Sequence, residues 1–222
     1  SKIRDEKWIY LMHKFNESGY RFTGIVKKLV EKKEDKAVLE LAQALLSVIS
    51  KKEITERGSG FGADDPFYID YIDESGIFEA LVGIEEEYVE RALGIATGIM
   101  TEIIKLSEKD DSEVFEYQDF FYLSDVDFFE LEIENNKSVS YREDIKNLAA
   151  TIKKLVERTI GKKCDNPDEV KRLFSYIDKM PSCRSMWRLR LFALAQCPQA
   201  LKTEIKSTLF RVFEVGERYF EI

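Results

Sequence analysis

Apolar residues recur at three- and four-residue steps from Gly83 to Leu106, GIEEEYVERALGIATGIMTEIIKL, the longest such run in the chain. Val89, Leu93, Ala96, Met100 and Ile103 fall on one face of a helix. Ala92, Ile95, Ile99 and Leu106 widen that face beyond a single stripe, which marks a central rather than a peripheral helix, about 84–107. Glu85, Glu86 and Glu87 suit its first turn, where negative charge offsets the unsatisfied amides and the positive end of the dipole. Gly94 and Gly98, one turn apart, are expected to let a neighbouring helix backbone approach closely. Glu90, Arg91 and Glu102 interrupt the run, so a bilayer span is not expected.

The same spacing predicts helices on both sides of this one. Trp8, Leu11, Met12 and Phe15 share a face over 4–17. Ile25, Val26, Leu29 and Val30 do so over about 21–33. Val38, Leu41, Ala42, Leu45, Val48 and Ile49 do so over about 35–51, with Asp35 as the expected cap. The glycine-rich 57–66 follows no dinucleotide or phosphate-loop pattern and reads as a surface loop. The apolar but irregular 66–78 reads as a short helix leading into the central one. Later helices are expected at 142–160, from the Asn166 cap and Pro167 to about 179, at 183–196, and from about 199 to 220. Residues 108–136 differ: Phe129, Leu131 and Ile133 alternate with Glu130, Glu132 and Glu134, a strand period. A small β-hairpin within 113–135, turning around Ser124–Asp125, is therefore expected there, the alternative being a pair of short helices. The fold class is mainly α: one domain over 1–222, a multi-helix bundle or irregular helical array around the central helix.

Composition narrows the class. The chain has 222 residues and few prolines and glycines, four and eleven, which favours helices over a turn-rich sandwich. Its three cysteines, Cys164, Cys183 and Cys197, include no close pair; this argues against a disulfide scaffold or a zinc site and suits a reducing, cytoplasmic setting. Neither a charged-then-apolar leader nor a long apolar run marks export or membrane insertion. The net charge of −8 hides a segregation. Residues 1–54 carry 12 basic and 8 acidic side chains, 55–136 carry 4 and 23, and 137–222 carry 18 and 11. Either the acidic middle docks on the basic flanks, or it faces a partner.

Carboxylates are the one abundant reactive group. The lone histidine, His13, sits in an amphipathic run beside Met12, and neither a nucleophile elbow nor HExxH occurs. Glu86-Glu87-x-x-Glu90, followed by Glu116-x-x-Asp119, resembles the paired acidic motif of the all-α nucleoside-triphosphate pyrophosphatases of the MazG and dimeric dUTPase type. The resemblance spans about 35 residues. It implies that Glu87, Glu90, Glu116 and Asp119 would hold Mg2+ against the substrate phosphates and release a nucleoside monophosphate. The central helix also resembles a helix of the translin family through Tyr88-Val89 and the Met100 region, and nothing is carried over from it.

The leading reading is non-enzymatic and needs no cofactor. Residues 108–136 hold eleven acidic residues, seven Phe or Tyr, and one basic residue, Lys109. Exposed aromatics among carboxylates suit a basic partner protein, the carboxylates steering and the rings binding. Phe120, Phe121, Tyr122, Asp125, Asp127 and Phe128 are the candidate partner-binding residues of such an adaptor, inhibitor or immunity-type protein. A third reading places nucleic acid against Arg184, Arg188 and Arg190 near Trp187. A sequence pI near 5.0 makes it the weakest, and Trp187 is expected in the core. Oligomeric state leaves no mark in the sequence.

Overall fold

The computed structural model describes residues 22–46, 48–50, 67–69, 76–110, 115–119, 123, 127–133 and 141–214, with backbone alone at 22, 23, 49, 67–69, 141–144 and 212–214. The expected helix over 4–17, with His13, and the glycine-rich 57–66 lie outside them. Described elements are α1 (Phe22–Glu31), α2 (Asp35–Leu45), β1 (Val48–Ser50), β2 (Phe67–Ile69), α3 (Ile77–Gly83), α4 (Glu86–Ile104), α5 (Tyr141–Thr159), α6 (Pro167–Asp178), α7 (Arg184–Gln196) and α8 (Lys202–Glu214). The protein is mainly helical, and no helix among the described residues is long and apolar enough to cross a membrane.

The central helix is α4. It packs along α5 and also touches α2, α3, α6 and β1. Val89, Leu93, Ala96, Met100 and Ile103 are all buried, in one apolar cluster that extends from Val26 on α1 to Leu201 at the start of α8. The chain enters α3 through Gly76, whose left-handed φ of 64° favours glycine there. It then bends at Ile84–Glu85, where Glu85 is extended, before α4 begins. Arg158, near the end of α5, braces this bend. Its guanidinium donates to the carbonyls of Val82 and of Ile84 (2.8 Å) and reaches Glu86 at 3.4 Å, so two otherwise open carbonyls gain a cationic donor.

Several expectations need correction. The helix expected to 51 stops at Leu45. The adjacent β-branched Val48 and Ile49 extend instead and pair antiparallel with β2, Val48 opposite Ile69 and Ser50 opposite Phe67. Of the short helix expected over 66–78, the described residues instead form β2 at 67–69 and, from Ile77, the start of α3. Asp35 does not cap its own helix, whose N-cap is Glu34. Its Oδ2 instead accepts the Glu85 backbone N–H at 2.7 Å, so Asp35 caps α4 from 50 residues away. The expected hairpin within 113–135 is not formed among the described residues. The pairing there is one antiparallel bridge, Lys109 to Tyr117, while 128–130 turn and 131–133 are irregular. Among the described residues, the Glu116 and Tyr117 N–H groups donate to the distant Ser182 carbonyl, and the Leu131 carbonyl accepts from Lys153, rather than joining a hairpin ladder.

Gly94 admits a side chain rather than a helix backbone: a Cβ there would stand 3.2 Å from the Tyr176 ring of α6. Gly98 has nothing within 4 Å of such a Cβ. The cysteine reading is also corrected. Cys164 and Cys197, 33 apart in sequence, are joined by a disulfide with a Cα–Cα distance of 5.3 Å. The α6–α7 pair between them folds back and brings the two ends together. Cys183 is free and buried, and burial pushes its thiol far above the ordinary range.

Asp35 gives the first test. It is 9% exposed, and its bond is charge-assisted. Asp35→Ala is expected to cost about 2 kcal/mol, seen as an earlier midpoint in urea unfolding. A midpoint unchanged to within about 0.5 kcal/mol would show that the Glu85 amide needs no cap.

Candidate functional site

Among the described residues, four carboxylates of the acidic middle pair with the basic flanks. Glu85 pairs with Lys33 at 3.5 Å, and Glu86 with Arg158 and, more loosely, Lys162 at 3.8 Å. Glu132 pairs with Lys154 at 2.7 Å and Lys153 at 3.7 Å. Glu90 on α4 takes both nitrogens of the Arg172 fork, and the Tyr176 hydroxyl donates to it at 3.1 Å. For these four carboxylates the charge segregation of the sequence is an internal complementarity.

Arg172 beside Glu90 holds that carboxyl below the usual carboxylate range, helped by Tyr176 and opposed by burial. A carboxyl lowered on folding adds stability above its unfolded value and loses it as pH falls through the folded one. The gap in melting temperature between the wild type and Glu90→Gln is thus expected at pH 6 and should close below the ordinary glutamate range, about 4.3. A gap that stays undiminished well below the lowered folded value would contradict the ion pair as its source.

The four carboxylates of the pyrophosphatase reading are not brought together. Glu90 is committed to Arg172, and Glu87 is exposed beside Tyr88, whose phenol it pushes up through a hydrogen bond. Glu116 Oε2 accepts the Ser182 N–H at 3.3 Å. Asp119 Oδ2 accepts the Ser185 N–H at 2.9 Å, in the first turn of α7, whose N-cap Cys183 offers no side-chain bond. Asp119 thus does for α7 what Asp35 does for α4: where the N-cap residue makes no capping bond, a carboxylate from elsewhere in the chain supplies it. Among the described residues, no group of three or more His, Cys, Asp or Glu is placed to hold a metal ion. The nucleic-acid reading loses its stacking surface, because Trp187 is 1% and Arg190 2% exposed. As expected, Trp187 is core; the guanidinium carbons of Arg190 and Arg211 lie 5.5 and 5.0 Å from its ring centroid.

Of the partner-binding candidates, Phe120, Phe121, Tyr122 and Asp125 lie outside the described residues. Asp127 is exposed and Phe128 is buried in the core. Within the described part of this stretch the exposed large apolar side chain is that of Phe129, 66% exposed, its ring meeting the Phe192 ring of α7 edge to face at 5.3 Å. Its backbone is fixed on both sides. Asp127 Oδ1 accepts the Phe129 N–H at 2.8 Å, and the Asp127 carbonyl accepts the Leu131 N–H at 3.0 Å. From α5, the buried Lys153 ammonium donates to the carbonyls of Phe129 at 3.1 Å and Leu131 at 2.9 Å. A lysine thus clamps an acidic turn and leaves a phenyl ring outside, beside exposed Asp127, Glu130 and Glu132.

Sequence reasoning read Phe129 as part of a strand period and named Phe128 rather than Phe129 among the partner-binding candidates. Phe128 and Phe129 are adjacent, and successive side chains of an extended chain point to opposite sides, so one of the two had to face out. Lys153 was also legible: it lies four residues after Ala149 and three before Val156, on the buried face of α5. Comparison with protein-family models, with curated proteins and with solved structures finds no match to this chain.

Proposed function

We propose that the chain is a protein–protein interaction domain that engages a basic partner surface through its acidic, aromatic middle, with Phe129 as the anchor. One observation carries this reading: a large apolar side chain is held outside the core by a buried lysine clamp. Exposed Leu or Phe side chains are common singly. What favours recognition here is the fixed backbone beneath the ring, which lowers the ordering cost of binding, and the carboxylates beside it. Asp127 and Glu130 would steer a cationic surface, while the ring supplies buried area at the centre of contact. An adaptor, inhibitor or immunity-type protein would be built in this way.

The test uses an immobilised array of lysine- and arginine-rich peptides with uncharged controls. Wild-type protein is expected to retain a subset of the basic peptides, less tightly as salt is raised. Phe129→Ala should weaken those contacts about thirtyfold, a hot-spot loss near 2 kcal/mol. Glu130→Lys should weaken them at low salt and matter less at high salt. Retention that ignores both substitutions would sink the proposal.

A further inference from the structure

We propose that Cys164 is a thiol-exchange site, which accepts a small anionic thiol as a mixed disulfide while Cys197 is kept as a buried thiol. The bond joins two unlike sulfurs: Cys164 is exposed in the turn after α5, whereas Cys197, the C-cap of α7, is 2% exposed. An incoming thiolate can reach only the Cys164 sulfur. Lys163 is held by Glu169 at 2.6 Å. Lys162, 59% exposed with a weak pairing to Glu86, is the cation that a negatively charged thiol meets at this turn, against the exposed Asp165 on the other side of Cys164.

The exchange balances as follows. The thiolate R–S⁻ attacks Cys164 Sγ, a new S–S bond forms, and the Cys164–Cys197 bond breaks. Its electron pair passes to Cys197 Sγ, which takes a proton from water; a second thiolate can later attack the R sulfur, release the Cys164 thiolate and leave as R–S–S–R′. Cys197 Sγ lies 3.0 Å from the Ile160 carbonyl oxygen. Carbonyl oxygens also lie near Cys164 Sγ, at 3.4 to 3.8 Å, so burial is what separates the two sulfurs. A negative sulfur at Cys197 would be dry, whereas a neutral thiol there can donate to the Ile160 carbonyl. Two consequences follow. The native bond opens slowly, because its leaving group is disfavoured, and the adduct on Cys164 persists, because a buried neutral thiol is a poor attacker. The same corner joins α7 to α8, with the Leu201 N–H bonded to the Cys197 carbonyl at 3.1 Å.

Native oxidised protein is treated with reduced glutathione, quenched at partial conversion with acid, then unfolded, alkylated and mapped by mass spectrometry. Glutathione is expected on Cys164 and the alkyl label on Cys197, with a bias on the order of tenfold or more. In denaturant the two sulfurs are equally open, and the bias should shrink towards even. Adduct on Cys197 in the native protein, a bias that survives denaturant unchanged, or alkylation of both cysteines in the untreated protein would each overturn the proposal.

Discussion

Lys153→Met is expected to lower stability by about 2 kcal/mol and to release the turn that carries Phe129. Methionine keeps the unbranched stem inside but offers no donor to the Phe129 and Leu131 carbonyls. If those carbonyls stayed buried, each would lose its partner at a cost of about 1–3 kcal/mol. Opening the turn to water limits that loss, so the free-energy change understates the structural one. Glu132 retains Lys154 and should not change sides. Binding to basic peptides should fall with Lys153→Met even though the substituted side chain is itself buried. That is the mark of a positioning residue. Chemical unfolding measures the first effect and peptide retention the second. Unchanged retention by a folded Lys153→Met protein would mean that the clamp does not present Phe129.

Leu93→Ala is expected to have the larger effect on stability. Leu93 is fully buried on α4, the helix that touches more elements than any other described. Removing three buried carbons costs their transfer free energy and leaves a cavity that the surrounding helices fill only in part. A loss of about 3 kcal/mol corresponds, for a chain of this length, to a melting point lower by roughly 6–12 °C. Glu102→Ala, on the exposed side of the same helix, serves as the control and should shift stability by no more than about 0.5 kcal/mol. Equal effects from the two substitutions would contradict the central place of α4.

Much of this architecture is legible in the sequence, and the limit has a physical form. The stripe Val89, Leu93, Ala96, Met100, Ile103 is local information, because one buried face of one helix dictates it, and all five residues are buried. Asn166 and Pro167 announce α6 for the same reason, and Asn166 Oδ1 accepts the Glu169 N–H at 3.3 Å as its type suggests. Val48 and Ile49 continue the apolar spacing of α2, so periodicity alone extends the helix; their β-branching was the opposing signal. The acidic segment is opaque because its order comes from partners far along the chain. The Phe129 carbonyl meets Lys153 across 24 residues, and Asp119 meets Ser185 across 66. Such bonds impose no period, and the alternation of Phe129, Leu131 and Ile133 resembles a strand without one. Asp35 repeats the lesson at a helix start: a capping residue was recognisable, but not which helix it capped. The disulfide stayed hidden because 33 residues of helix and turn must fold before Cys164 meets Cys197.

Amide hydrogen exchange across 127–133, in the wild type and in Lys153→Met, tests most directly whether the acidic turn is a built surface. The expected result is slowed exchange at the Phe129 and Leu131 amides of the wild type, both hydrogen-bonded to Asp127, with protection lost in the variant while α4 and α5 stay protected. Wild-type amides that exchange as fast as an unstructured peptide would contradict the clamp, and with it the presentation of Phe129 to a partner.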